Sequence, residues 1–246
     1  MIIHYYVYVK QLLKRLIKTL ANSDVLVYNN NVHKKYYYAE ELKRCSLPSV
    51  AMVMKRFLDI LFSFFALIIL SPLFLIISVV VLIDNGTPVL FKQERVGKDN
   101  KLFKIYKFRT MKFGTRDVAT EQLVESGERI TKSGKFLRKT SIDELPQLIN
   151  ILKGDMSFVG PRPLIPQEDE IRIARAENNI FVVRPGITGL AQINGRDELG
   201  IEEKVRFDKE YVENQSILLD IKIIIKTVGV VIRHEGIKEG GYNDNK

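Results

Sequence analysis

The sequence predicts a mostly helical α+β protein: a helix-break-helix embedded in a membrane, feeding a small domain with one β-hairpin and several amphipathic helices. Three observations carry this. An apolar run without charge, Ile60 to Ile83, is interrupted at its middle by Ser71-Pro72. Two strand-like runs, 88–95 and 102–110, flank the turn-rich VGKDNK. Beyond them, short helical periods alternate with loops rich in glycine and proline. With 246 residues there is room for one domain of full size plus accessories. The parts are an N-terminal extension (1–53), the apolar run with its lead-in (54–83), a body (84–237) and a polar tail (238–246).

In the extension, YYVYVKQLLKRLIKTL reads either as a basic amphipathic helix on anionic lipid or as a solvated basic helix. Met54-Lys55-Arg56-Phe57 reads as a natural start, which would make residues 1–53 an artefact of the gene model. No function is assigned to them.

Ile60 to Ile83 is long enough to cross a bilayer. It is too long, and too far from the N-terminus, for a signal peptide. Pro72 removes a helical hydrogen bond and clashes with the preceding turn, so a kink is expected, and Ser71 could bond the carbonyl that Pro72 frees. Each half is roughly 18 Å long, about one leaflet. Length therefore permits a kinked span or a hairpin that re-enters one leaflet. Lys34, Lys35, Lys43, Arg44, Lys55 and Arg56 precede the run; Lys92, Arg95, Lys98, Lys101, Lys104, Lys107 and Arg109 follow it. Positive flanks favour the cytoplasm, and both flanks are positive, which a hairpin satisfies and a single span violates on one side.

Composition narrows the chemistry. The net charge of +9 favours anionic partners: nucleic acid, lipid headgroups or phosphorylated small molecules. A single cysteine, Cys45, excludes an intrachain disulfide and fits a reducing compartment. His4, His33 and His234 stand far apart, which argues against a zinc site or a histidine-based triad. Catalysis, if present, falls to carboxylates, Lys, Arg, Tyr or hydroxyls.

In the second strand, Lys107 and Arg109 share a face opposite Lys104; such a basic face is as readily solvated as functional. Residues 112–128 read as a loop, and RITKSGKFLRK as a short basic helix. The next helix shows Leu145, Leu148, Ile149 and Leu152 as one apolar stripe, closed by Gly154. VRPGITGLAQINGR (183–196) reads as a loop, and the tail as two helices, 202–213 and about 217–234. The last, interrupted by Asp220, Lys222 and Lys226, suits an interface or core better than a span.

The densest chemistry lies in RKTSIDELPQ, residues 138–147. Ser141 to Glu144 fits the S-x-x-E capping box, a sufficient explanation for both acids. Pro146 weakens it, because proline would sit beyond the first turn. A helix starting at Asp143 removes that conflict and sets Asp143 and Glu144 at the positive end of the helix dipole, where Arg138 and Lys139 also favour ionisation. An ionised Asp is a nucleophile toward phosphorus and a ligand for Mg²⁺. In GPRPL, Pro161 and Pro163 fix the backbone on both sides of Arg162, aiming it at phosphate unless an ordinary salt bridge occupies it. The combination suggests phosphoryl chemistry on a lipid at the membrane surface. A basic membrane-anchored binding protein and a non-catalytic scaffold are the rival classes.

KRFLDILFSFFALIILSPLFLI, FKIYKFRTM, LRKTSIDELPQLINILKGDMSFVGPRPL and RPGITGLAQINGR, in this order over residues 54 to 237, resemble the monotopic phosphoglycosyl transferases, bacterial sugar transferases that start surface-glycan assembly. The resemblance implies a re-entrant membrane helix broken at Ser71-Pro72, with a cytoplasmic catalytic domain at the bacterial inner membrane. It implies transfer of a sugar 1-phosphate from a UDP-sugar to undecaprenyl phosphate, releasing UMP, through a covalent aspartyl-phosphosugar. It places the catalytic dyad on Asp143 and Glu144, with Mg²⁺ held at Asp143, and substrate phosphate on Arg162, Lys107 and Arg138. Membrane lipid and other glycan-assembly enzymes are the implied partners, and nucleic acid is not. The extra N-terminus and short tail are departures; without the multi-span module of some relatives, the chain reads as the minimal form. The GRDELGIEE segment (195–203) is the candidate for sugar selection, with a lean toward an N-acetylated amino sugar.

Overall fold

A computed structural model describes residues 50–112, 130–195 and 198–233. The extension's helix candidate, most of the 112–128 loop, Arg196, the polar tail, Cys45 and the three histidines lie outside the described residues. Apart from the first four residues of the first helix, Val50 to Val53, the described residues belong to the compact unit that starts at Met54.

Helix α1 (Val50–Ile69) and helix α2 (Ser71–Asn85) are separated by Leu70 and bent by 62°. Proline at the second position of α2 explains the bend: the Ile68 carbonyl has no N–H to receive from residue 72. Ser71 Oγ donates to that carbonyl at 2.7 Å, as the sequence suggested. Backbone bonds Leu70 N to Ala66 O and Phe74 N to Leu70 O, each 2.9 Å, keep both helices intact up to the break. No single helix among the described residues is long and apolar enough to cross a membrane; the bent pair together is, by length and composition. Much of its surface is uncovered: Phe62, Ile69, Leu75 and Ile83 are 58–81% exposed.

The pair is sewn to the body by polar groups at its base and apolar groups above. Lys55 Nζ meets Asp220 Oδ2 at 2.6 Å, Arg56 donates to the Leu152 carbonyl at 3.2 Å, and buried Asp59 accepts from Phe158 N at 3.3 Å. Ile77 and Val81 of α2 pack with Phe108 and Leu137, while Ala66, Leu67 and Leu70 cover Ile105, Leu148, Ile151 and Met156. A buried aliphatic side chain contributes about 1.5–3 kcal/mol, so each layer matters to the attachment.

Strands β1 (Leu90–Val96) and β2 (Leu102–Phe108) form the expected antiparallel hairpin, from Leu90 opposite Phe108 to Val96 opposite Leu102. Helix α3 (Lys132–Lys139) is the short basic helix, capped by the Thr131 hydroxyl accepting from Gly134 N. Helix α4 (Gln147–Lys153) ends at Gly154 with φ of 95°, a left-handed C-cap suited to glycine. Its buried face differs from the expected leucine stripe: Gln147, Leu148, Asn150 and Ile151 are buried, whereas Leu145, Ile149 and Leu152 are half-buried. The polar pair is inside because Asn150 acts as a surrogate strand residue. Its amide donates to Lys104 O at 2.7 Å and accepts from Tyr106 N at 3.0 Å. This satisfies the free edge of β2 and welds α4 to it.

Residues 183–195 are more ordered than a loop. Strand β3 (Ser157–Val159) pairs in parallel with β4 (Gly186–Thr188), and helix α6 (Leu190–Ile193) follows. The pairing brings two backbones so close that a Cβ on Gly186 would collide with Gly160 N. Helix α5 (Asp169–Glu177) lies between the strands in sequence, and α7 (Ile201–Glu213) and α8 (Ile217–Arg233) complete the body, as the tail pattern predicted. Helix α8 buries Ile223 and exposes Leu218, Ile225 and Val228, so it is amphipathic.

Replacing Asn150 with Leu should destabilise the protein by about 2–4 kcal/mol, because a buried N–H and C=O lose their partners together. Thermal unfolding in detergent checks this; unchanged stability would show that the weld contributes little.

Candidate active site

The two acids do not cap a helix. Ser141 has φ of 55°, in the left-handed region, and makes no side-chain cap bond. It turns the chain sharply out of α3 into a 3₁₀ turn, Ile142–Glu144, that presents the dyad before Pro146 starts α4. Neither the capping box nor a helix beginning at Asp143 is formed. A non-glycine residue with positive φ costs roughly 1–3 kcal/mol, and such positions cluster at functional sites.

The neighbours are treated unequally. Glu144 Oε1 accepts from Lys107 Nζ at 2.8 Å, with both side chains largely buried. Asp143 is 8% exposed, and among the described residues no other side chain bonds its carboxyl. Burial pushes that carboxyl up to about 6; Lys107 pulls it down, Glu144 pushes it further up, and Arg138 pulls it down. The expectation of a firmly ionised aspartate at a helix dipole is therefore corrected. Helix α4 begins three residues after Glu144 and is short, and loss of water outweighs the nearby cations.

A shallow depression opens beside the pair, lined by Lys107, Glu144 and Arg162 together with Arg95, Gln147, Ile187 and their neighbours. Lys107, Glu144 and Arg162 thus converge as the sequence suggested. Arg162 is half-buried and pairs with no carboxylate among the described residues, so the salt-bridge alternative does not hold. Asp143 and Arg138 are not in the lining. They lie within electrostatic reach of each other, with Arg138 Nε donating to Thr110 Oγ1 at 2.8 Å. Ser71 and Pro72 belong to the helix break. Arg95, Gln147 and Asn150 were not singled out from sequence; the FKQER arginine and the amides inside DELPQLIN were the available signals.

For a divalent cation, the fit rests on oxygen donors. Among the described residues no group of three or more His, Cys, Asp or Glu could hold a metal alone. Mg²⁺ commonly uses one or two carboxylates plus substrate phosphates. The Asp143 carboxyl, which no other side chain bonds among the described residues, fits that mode.

The arrangement defines a class: a carboxylate pair with cations beside it, on a domain anchored to a bent apolar helix pair. Residues 50–234 match the family model described as bacterial sugar transferase, and the chain belongs to that family. It is accordingly an enzyme, a sugar transferase. It is 46% identical over 195 residues to the uncharacterized sugar transferase EpsL of Bacillus subtilis, covering 78% of this chain and 93% of that one. It is 41% identical to the undecaprenyl-phosphate galactose phosphotransferase of Salmonella typhimurium, covering 74% of this chain and 41% of the relative. The UDP-glucose:undecaprenyl-phosphate glucose-1-phosphate transferase of Escherichia coli is 42% identical, with 74% and 41% covered. The chain thus spans nearly all of the first and less than half of the other two.

Because the folded protein binds the Asp143 proton more tightly than the unfolded chain does, stability should fall as pH rises from about 4 through about 6. Asp143→Asn removes that cost. Its thermal midpoint, measured without metal, should exceed the parent's by several degrees at pH 8, a gap that closes toward pH 4. Equal midpoints at pH 8 would contradict the buried-acid account.

Proposed function

We propose that the protein transfers a sugar 1-phosphate from a UDP-sugar to undecaprenyl phosphate, releasing UMP, at the cytoplasmic face of the bacterial inner membrane. The observation that supports this is the division of the dyad: Lys107 occupies Glu144, while the Asp143 carboxyl has no side-chain hydrogen-bond partner among the described residues. The names of the Salmonella and Escherichia relatives support the lipid acceptor and the nucleotide-sugar donor.

In the first step an Asp143 oxygen forms a bond to the β-phosphorus of the UDP-sugar. The bond from that phosphorus to the bridging oxygen breaks, and the bridging oxygen leaves on UMP. In the second, an oxygen of the polyprenyl phosphate attacks the same phosphorus and the Asp143 carboxylate departs, giving the polyprenyl diphosphate sugar. Arg162, Lys107 and Arg138 stabilise the negative charge spread over the transferring phosphoryl group. Glu144, held by Lys107, positions groups or accepts the acceptor phosphate's proton. Mg²⁺ held at Asp143 with the pyrophosphate would offset charge there.

The bent pair supports a re-entrant hairpin. Its exposed apolar surface calls for lipid, and its base is tied through Lys55, Arg56 and Asp59 to the catalytic body. That attachment holds the dyad near headgroup height, where a soluble nucleotide and a lipid phosphate both reach it. The exposed apolar face of α8, with Lys222 and Lys226 nearby in sequence, supports an interfacial position. Membrane lipid is thus a partner, and other glycan-assembly enzymes are the further partners this role implies.

Membranes containing the protein, given undecaprenyl phosphate, Mg²⁺ and a panel of UDP-sugars, should release UMP with one donor strongly preferred. The panel includes glucose, galactose and N-acetylated amino sugars. Asp143→Asn should lower turnover by at least about 10³-fold, and a chelator should abolish it. Mass spectrometry of protein quenched with donor alone should find the phosphosugar on the Asp143 peptide; near-normal turnover of Asp143→Asn would refute the nucleophile. In a Cys45→Ser background, Lys43→Cys and Asn100→Cys should both label only from the cytoplasmic side. Labelling from opposite sides would establish a true span.

A further inference from the structure

Arg162 lies in a proline-flanked loop, and the prolines supply no N–H with which to anchor it. The structure anchors it by its carbonyls instead. Pro161 O accepts from Gly186 N at 2.9 Å, Arg162 O from Arg175 Nη1 at 2.7 Å, and Leu164 O from Val96 N at 2.9 Å. Between the last two, Arg95 Nη1 approaches Pro163 O at 3.5 Å, the limit of a hydrogen bond. Three of these donors belong to strands β1 and β4 or border the depression. Arg175 is different: it comes from the last turn of α5, is 4% exposed and does not line the site.

Behind Arg175 stands Asp208 of α7, 1% exposed, with Oδ2 at 2.6 Å from Arg175 Nη2. They meet by charge: neither Asp208 oxygen nor Arg175 Nε has an aligned hydrogen bond among the described residues. Burial pushes the Asp208 carboxyl up against the pull of Arg175. A buried pair of this kind contributes little net stability, and apolar residues of like volume often replace it without loss. The surrounding core of Val96, Leu164, Ile171, Ile180 and Val205 is apolar and would accept such a replacement. What an apolar pair could not supply is a donor for the Arg162 carbonyl. A guanidinium can turn one Nη to that carbonyl and the other to an acid, which the single ammonium of lysine does less well.

We propose that Arg175, held by Asp208, is a positioning residue: it fixes the peptide of Arg162 and so aims the Arg162 guanidinium at substrate phosphate. This rests on the reading of Arg162 given above. The ion pair touches no substrate; its effect on catalysis runs through one carbonyl.

The test is a double-mutant cycle on UMP release, with folding followed by thermal unfolding. Arg162→Ala alone should lower kcat/KM by about 10²-fold. Arg175→Met with Asp208→Leu, an apolar exchange of the pair, should keep the thermal midpoint and lower kcat/KM about 10-fold or more. Arg175→Lys, which preserves the charge facing Asp208, should fold and show an intermediate loss. In the Arg162→Ala background each exchange should cost less than about 2-fold, because the group being aimed is gone. A merely structural role would give the same loss in both backgrounds, and that result overturns the proposal. So does full activity of Arg175→Lys and of a folded apolar pair. Should the apolar pair unfold, Arg175→Lys in both backgrounds decides the matter alone. A neutral Arg162→Ala would instead remove the phosphate-binding reading and the positioning role with it.

Discussion

The site depends on a join between a strand and a helix that are distant in sequence. Asn150 of α4 supplies the hydrogen bonds that another strand would give to β2, at Lys104 and Tyr106. The next residue of β2 is Lys107, and one turn before Asn150 on α4 is Gln147, which follows the dyad's turn. Fixing one amide therefore sets the strand's lysine against Glu144. An apolar contact could bring β2 and α4 together but would not set their register, because dispersion has no direction. Paired donors and acceptors do, which accounts for a fully buried asparagine in a layer otherwise made of Ile105, Leu148, Ile151 and Met156.

A second line of polar groups connects the bent apolar helix pair to the loop that carries Arg162. Lys55 at the base of α1 meets Asp220 of α8. Asp220 Oδ1 lies 2.8 Å from Tyr211 Oη, which is also 3.0 Å from the Val159 carbonyl. Val159 ends β3, and Gly160-Pro161-Arg162 follows directly. Burial pushes both the Tyr211 hydroxyl and the Asp220 carboxyl above their ordinary ranges, so the tyrosine remains a donor throughout the physiological range. Its one proton can serve either acceptor. The consequence is mechanical: displacement of the helix base is resisted by the same residues that support the loop carrying Arg162.

Much of this was legible in the sequence wherever a local rule applied. Proline next to serine in an apolar run fixed the bend and even the carbonyl that Ser71 bonds. Alternation with a turn marked the hairpin, and the DEL-P-Q and PRP motifs marked Asp143, Glu144 and Arg162. What could not be read was decided at long range. The capping-box pattern of Ser141 to Glu144 is identical whether or not a helix forms there; the left-handed turn at Ser141 joins α3 to the 3₁₀ turn, and no local pattern records it. The leucine stripe of α4 misled because periodicity ranks residues by polarity, whereas β2 offered Asn150 an unpaired edge. The dipole argument erred on Asp143 for a similar reason: sequence shows neighbouring charges but not the removal of water.

That removal of water gives the proposed chemistry a reason for two adjacent acids rather than one. A lone carboxylate surrounded by Lys107, Arg138 and Arg162 in the open would be strongly paired, and a paired carboxylate is a poor nucleophile. Here Glu144 takes the direct bond from Lys107, leaving Asp143 with the field of Lys107 and Arg138 but no side-chain partner among the described residues. The like charge of Glu144 and the loss of hydration both raise the free energy of the Asp143 anion. In the reaction proposed above, bond formation to phosphorus would relieve that cost, since the carboxylate charge would then be shared with the phosphoryl group. The 3₁₀ turn is what makes the inequality possible. On successive residues of so tight a turn, two side chains diverge, so one acid reaches the strand's lysine while the other stays behind it, buried.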